Sequence, residues 1–226
     1  MRRRLSLRRQ IVGVITSPAD FERAVRLRRP PDLFELRLDC LLPTIRHLEK
    51  RLRRLGAPLM ITARSPQEGG ANGLSIRERR NLLCRFLPDA QYVDIELRSA
   101  FALRALLGVA EQQNVKRIIS YHNFKTTPPV RVLLTKARAA KAHGANIFKV
   151  ATRTDTPVQL TRLLDFTTNE NVGLAVAAMG IGRLGAISRV LLARAGSVLI
   201  YASTGRCANI EGQLSLDQLR GLGVDW

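Results

Sequence analysis

Arg117-Ile118-Ile119-Ser120-Tyr121-His122 is followed, one helix length later, by Asn146-Ile147-Phe148-Lys149-Val150-Ala151. Each run is short, nearly continuous in apolar residues and rich in β-branched and aromatic ones, the pattern of a strand buried on both faces. Each nevertheless carries a titratable side chain: His122 closes the first run and Lys149 lies inside the second. Between them, Val130–His143 has apolar residues at helical spacing and follows Pro128 and Pro129, prolines being favoured at a helix start. The stretch therefore reads strand, helix, strand, with its polar groups near the carboxyl ends of the strands.

The same unit repeats in both directions. Further strand-like runs are Ile11–Thr16, Leu33–Asp39, Leu59–Arg64, Tyr92–Leu97, Val172–Met179 and Ser197–Ser203. Helical patterns occupy Pro43–Leu55, Ser75–Leu87 (opened by the capping box Ser75 to Glu78), Ser99–Gln113, Thr156–Asn169 and Gly185–Ala195. Eight strands and about eight helices in 226 residues give ~28 residues per unit, a compact βα repeat without a linker or a composition break. A closed barrel and an open doubly wound sheet both accept this order.

Charges in the strands separate the two. Strand 2 carries Glu35, Arg37 and Asp39, strand 3 ends in Thr62 and Arg64, strand 4 carries Asp94 and Glu96, and His122 and Lys149 follow. From Arg37 to Arg64, Glu96, His122 and Lys149 the steps are 27, 32, 26 and 27 residues. One unit per step puts these groups at equivalent heights. With Ser203 at the end of strand 8, an open sheet would spread them along more than about 25 Å, at ~4.8 Å per strand, whereas a closed one gathers them at one mouth. The expected fold is α/β, a single-domain (β/α)8 TIM barrel over residues 11–226, preceded by a basic arm at residues 1–10.

Lys+Arg number 37 and Asp+Glu 18, a net charge of +19, and the hydrophobic share of 46% is that of a globular chain. Three cysteines (Cys40, Cys84, Cys207) without a C-x-x-C pair exclude a dense disulfide framework. Cys40 falls near the expected mouth and Cys84 reads as helix core. His47 and His143 lie on predicted helices as surface residues, and the three histidines have no metal-ligand spacing, so no metal is expected. No apolar run reaches the roughly 18 residues of a membrane span, and the apolar stretch after the basic start is too short for a signal peptide. A cytoplasmic protein with no membrane partner is expected.

A lysine in an apolar strand should have its amine pKa lowered by desolvation and nearby cations. A neutral amine attacks ketones and aldehydes to form a Schiff base, whose iminium acidifies neighbouring C–H bonds. His122, one strand away, would serve as general base and then general acid, and Glu68 is within reach to orient it. Arg37, Arg64 and Arg189 are available to clamp a carboxylate or phosphate. Asp94 and Glu96 could belong to this site or form buried ion pairs that only hold the strands together. The chemistry suggested is elimination or aldol cleavage at a carbonyl compound.

The set of motifs resembles the type I 3-dehydroquinate dehydratases. The matching pieces are Glu35-Leu36-Arg37-Leu38-Asp39, Thr62-Ala63-Arg64 with Glu68-Gly69-Gly70, and Asp94-Ile95-Glu96-Leu97. Ser120-Tyr121-His122-Asn123-Phe124, Phe148-Lys149-Val150-Ala151, Gly185 to Arg189 and Gly212-Gln213 follow in family order. The resemblance implies syn dehydration of 3-dehydroquinate to 3-dehydroshikimate, in aromatic amino-acid (chorismate) biosynthesis, without cofactor or metal. It implies that Lys149 forms the imine, that His122 moves the protons and that Glu68 positions His122. It further implies that Glu35, Arg37, Arg64, Arg189 and Gln213 bind the small anionic substrate, and that the protein is a homodimer. Where the family has Ser-Ala-Pro-Gly-Gln, this chain has Asn209-Ile210-Glu211-Gly212-Gln213, so Asn209 stands at a serine's binding position and Glu211 replaces a rigid proline.

Other readings have their own features. Gly180-Ile181-Gly182-Arg183-Leu184-Gly185 matches the dinucleotide fingerprint, but in the seventh unit and without the acidic residue that should follow. A turn whose backbone amides approach an anionic substrate fits better. A class I aldolase would share the Schiff base and differ in product. A nucleic-acid-binding protein would explain Arg51, Arg53, Arg54, Arg77, Arg79 and Arg80, yet only 5% of residues are aromatic and no recognition motif is present, so no specific nucleic-acid partner is expected.

Overall fold

A computed structural model describes residues 8–205 and 210–224. The eight strands are β1 (Gln10–Ile15), β2 (Leu33–Arg37), β3 (Leu59–Thr62), β4 (Tyr92–Glu96), β5 (Lys116–Asn123), β6 (Ile147–Arg153), β7 (Ala175–Ile181) and β8 (Leu199–Ser203). All pair in parallel, and the ladder runs from β7 through β6, β5, β4, β3, β2 and β1 to β8. The seam between β8 and β7 is closed at its base. Val198 N donates to Val176 O at 2.8 Å, and Ser197 Oγ accepts from Ala178 N at 3.0 Å. The chain thus forms a (β/α)8 barrel.

Period-2 alternation divides each strand between two environments. Outward residues such as Phe148 and Val150 join the apolar layer under the helices, together with Ile61, Val93, Ile95 and Ile119. Inward residues fill the lumen. Val12, Leu33, Met60, Tyr92, Ile118, Ile147 and Leu199 make an apolar floor. The next inward positions are Glu35, Thr62, Asp94, Ser120, Lys149 and Tyr201, all buried. The continuous apolar reading of the strands was therefore correct for the outer face, and the charges mark the inner one.

The helices described are α1 (Pro18–Val25), α2 (Ile45–Glu49), α3 (Ile76–Phe86), α4 (Leu97–Ala100), α5 (Arg104–Gln112), α6 (Val130–Ala142), α7 (Pro157–Thr168), α8 (Gly185–Ala195) and α9 (Leu216–Gly221). Two expected helices are shorter than their patterns. Pro43–Leu55 holds only α2 between two 3-10 turns, with no side-chain cap at its start. Arg46, Lys50 and Arg54 repeat a like charge every four residues, which disfavours a longer helix. Ser99–Gln113 breaks into α4 and α5. Neither α1 nor α9 was among the expected stretches, although each opens with a complete capping box, Ser17 with Asp20 and Ser215 with Gln218. Cys84 is exposed on α3 rather than part of the core, because Leu83 and Phe86 supply the buried face. Among the described residues no helix is long and apolar enough to cross a membrane.

Candidate active site

The carboxyl ends of the strands surround a cavity of about 530 Å³. Glu35, Arg37, Arg64, Glu68, His122, Lys149, Arg189 and Gln213 all line it, so the barrel brings together every expected site residue that the structure describes. Asn209 lies outside the described residues.

Register places the central pair. Ser120 pairs with Lys149 and His122 with Ala151 across β5 and β6, so both functional side chains face the lumen, His122 one pleat nearer the mouth. Glu68 sits in the 3-10 turn after β3. Its Oε2 accepts the His122 backbone N–H at 3.1 Å and meets the ring Nδ1 at 2.8 Å. Burial, then the charges of Arg64 and Lys149, hold the His122 imidazole well below its ordinary pKa. A neutral ring donating from Nδ1 leaves Nε2 as the free base. Burial and the neighbouring Glu96 push the Glu68 carboxyl up to about 7. Phe124 stacks on the imidazole with centroids 6.3 Å apart.

Lys149 does not sit in hydrocarbon, contrary to the sequence expectation. Its Nζ donates to Asp94 Oδ2 at 2.9 Å and Glu35 Oε1 at 3.4 Å, and lies 4.0 Å from the centroid of the Tyr201 ring. The interior positions beside it belong to the charged layer, so burial brings counter-ions rather than bare apolar walls. Asp94 also takes Arg64 Nη2 at 2.9 Å and Ser120 Oγ at 2.6 Å. Although burial opposes it, Arg64 and Lys149 keep Asp94 far below the usual carboxylate range. Arg64 reaches Glu96 at 3.3 Å, and Glu96 pairs in turn with Arg79 of α3. Three buried cations, Arg64, Arg79 and Lys149, thus balance three buried carboxylates, Glu35, Asp94 and Glu96. Asp94 and Glu96 belong to an ion-pair network and Asp94 also touches the amine, so the two sequence readings of these residues meet in one cluster.

The arginines divide by partner. Arg64 is committed to Asp94, Glu96 and Ser120, which leaves it an electrostatic rather than a free clamping role. Arg37 is held in a two-pronged bond by Asp39 at 3.0 and 2.8 Å. Arg189 alone of the three has no carboxylate among the described residues. Its Nη1 donates to the carbonyls of Gly180, Gly185 and Gly212, its Nε to that of Tyr201, and burial pulls the guanidinium down to about 10. A buried cation on the cavity wall without a counter-ion is a place for an anion. Cys40 also lines the cavity, but burial pushes its thiol up to about 11, away from nucleophilic use.

The glycine-rich loop serves packing. Gly180 N donates to Ser188 Oγ, Gly182 N to Glu211 O and Gly185 N to Gly182 O, so these amides are engaged within the protein rather than turned to an anion as expected. A Cβ at Gly212 would lie 2.6 Å from Gly185 Cα, which shows how closely the two turns meet. Residues that the sequence reading did not place at the site include Tyr201, Met179 and Phe124 on the cavity wall. Inward register on β7 and β8 was the signal available for Met179 and Tyr201.

A model of the family described as type I 3-dehydroquinase matches residues 14–222. The chain is 34% identical over 193 residues to the 3-dehydroquinate dehydratase of Pyrococcus abyssi, covering 84% of this chain and 85% of that one. It is 36% identical over 191 residues to that of Methanothermobacter thermautotrophicus, covering 84% and 82%. Among solved structures, the 3-dehydroquinate dehydratase of Geobacillus kaustophilus superposes with a TM-score of 0.82 at 27% identity, covering 95% of this chain and 89% of that one. That of Aquifex aeolicus does so with 0.78 at 29%, covering 94% and 96%.

Proposed function

The chain belongs to the type I 3-dehydroquinase family, and on that premise we propose that it dehydrates 3-dehydroquinate to 3-dehydroshikimate through a Schiff base on Lys149, as a step of aromatic amino-acid biosynthesis. The observation that carries this reading is the shared cavity of Lys149 and a His122 whose Nδ1 is fixed by Glu68 at 2.8 Å.

Lys149 Nζ loses a proton and adds to the substrate ketone carbon, and the carbonyl oxygen leaves as water. The resulting iminium carries the same single positive charge as the ammonium it replaces. The balance of three cations and three carboxylates is therefore kept, with Asp94 beside the iminium nitrogen. His122 Nε2 takes a proton from the carbon next to the iminium, and the electron pair flows into the C=N bond to give an enamine. The enamine returns the pair, the neighbouring hydroxyl departs, and His122 delivers the proton that makes it water. Hydrolysis of the imine releases product and restores the amine. Glu68 holds the ring so that one nitrogen does both transfers. Arg189 receives the substrate carboxylate, with Arg37, Glu35 and Gln213 around the remaining hydroxyls.

Ultraviolet absorbance of the conjugated enone, measured with 3-dehydroquinate and purified protein, tests the reading. Appearance of the enone supports it. Carbon–carbon cleavage products from the same incubation would mark an aldolase instead.

A further inference from the structure

Glu211 stands on the cavity wall, and its carboxylate is bonded to Arg153. Arg153 ends β6, the strand that carries Lys149, and lies four residues further along the same face. Its Nη1 donates to Glu211 Oε2 at 2.8 Å and its Nε to Asp155 Oδ2 at 2.6 Å. Asp155 Oδ1 in turn accepts the Arg183 backbone N–H at 2.9 Å. One guanidinium therefore ties together the loops after β6, β7 and β8. The turn at 210–213 that it fastens delivers two groups to the site. The Gly212 carbonyl bonds Arg189 Nη1 at 2.5 Å, and Gln213 brings to the cavity a buried Oε1 that has no protein partner.

We propose that the Arg153–Glu211 ion pair is a positioning device for substrate binding: it fixes the turn through which Gly212 orients Arg189 and Gln213 offers its acceptor. The inference rests on the dehydratase reading and adds two residues that touch no reacting atom. Both side chains are partly exposed, at 32% and 54%, so their replacement leaves the barrel core intact.

The test is kcat and KM for 3-dehydroquinate in Arg153→Gln, Glu211→Gln and the double variant, at fixed pH and ionic strength. Each single change raises KM by about two- to fivefold, as loss of a partly exposed pair allows, with kcat within about twofold of the parent. The double variant is no worse than the poorer single one, because both remove the same interaction. Unchanged KM overturns the proposal. So does a KM that falls in Glu211→Gln and rises in Arg153→Gln, since Glu211 would then act only as a charge repelling the substrate. Calorimetric titration of 3-dehydroquinate into the same variants on a Lys149→Ala background separates this inference from the reading beneath it. Binding weakened about two- to fivefold without any turnover by the parent protein sinks the dehydratase but keeps the positioning pair. Binding unaffected by the variants sinks the pair alone, and absence of binding together with absence of turnover by the parent protein sinks both.

Discussion

Lys149 and His122 are assigned different steps, and their variants should fail differently. His122→Ala should still form the imine, because the amine and Asp94 are untouched, while kcat falls by about 10²- to 10⁴-fold with loss of the proton carrier. Steady-state turnover and borohydride trapping of the same sample check both halves. The pH profile follows from Glu68. Its carboxyl, pushed up to about 7, ionises as pH rises, and the carboxylate then accepts the Nδ1 proton and leaves Nε2 free. Activity should therefore rise with pH along an acid limb near 7. In Glu68→Gln the limb should move to lower pH, where the imidazole alone sets it, and the plateau should fall. A limb unmoved in that variant contradicts the assignment. Lys149 and His122 were legible in the sequence because a titratable group in an apolar strand stands out, and Glu68 because it follows the end of strand 3 closely enough to reach His122. The counter-ions of Lys149 were not. Asp94 is 55 residues away and Glu35 is 114, and only closure of the barrel puts them within hydrogen-bond reach.

At the scale of elements, the barrel depends on a seam with few bonds. Ser197 is fully buried and its Oγ accepts from Ala178 N, joining the segment before β8 to β7. Ser197→Ala would leave that amide unsatisfied, at a cost of about 1–3 kcal/mol. Thermal unfolding should move down by roughly 2–4 °C for each kcal/mol in a chain of this size. An unchanged transition would mean that the seam is held elsewhere. The strands were readable from composition, with ends shifted by a few residues: β5 and β6 run on to Asn123 and Arg153, and β7 begins at Ala175 after a 3-10 turn. Helices with buried faces and capping boxes, such as α3 and α7, kept their expected extent. The stretch at 43–55 did not, since apolar spacing alone does not overcome repeated cationic neighbours and a missing cap. In the glycine-rich loop the residue pattern was legible but its partner was not, because Gly212 meets Gly185 only after β7 and β8 are neighbours.

For the whole molecule, +19 on a chain that takes an anionic substrate should show in association. Added salt should lower kcat/KM by about threefold or more between roughly 0.02 and 0.2 M, as screening removes the attraction. A rate independent of salt would leave the arginine excess without a part in substrate capture. The fold gathers dispersed single residues into one cavity, and the proposed chemistry needs a covalent bond made there. Mass spectrometry after borohydride reduction in the presence of 3-dehydroquinate tests this most directly. One substrate-derived adduct is expected, on Lys149, absent from Lys149→Ala along with turnover. An adduct on another lysine, or full turnover by Lys149→Ala, would contradict it.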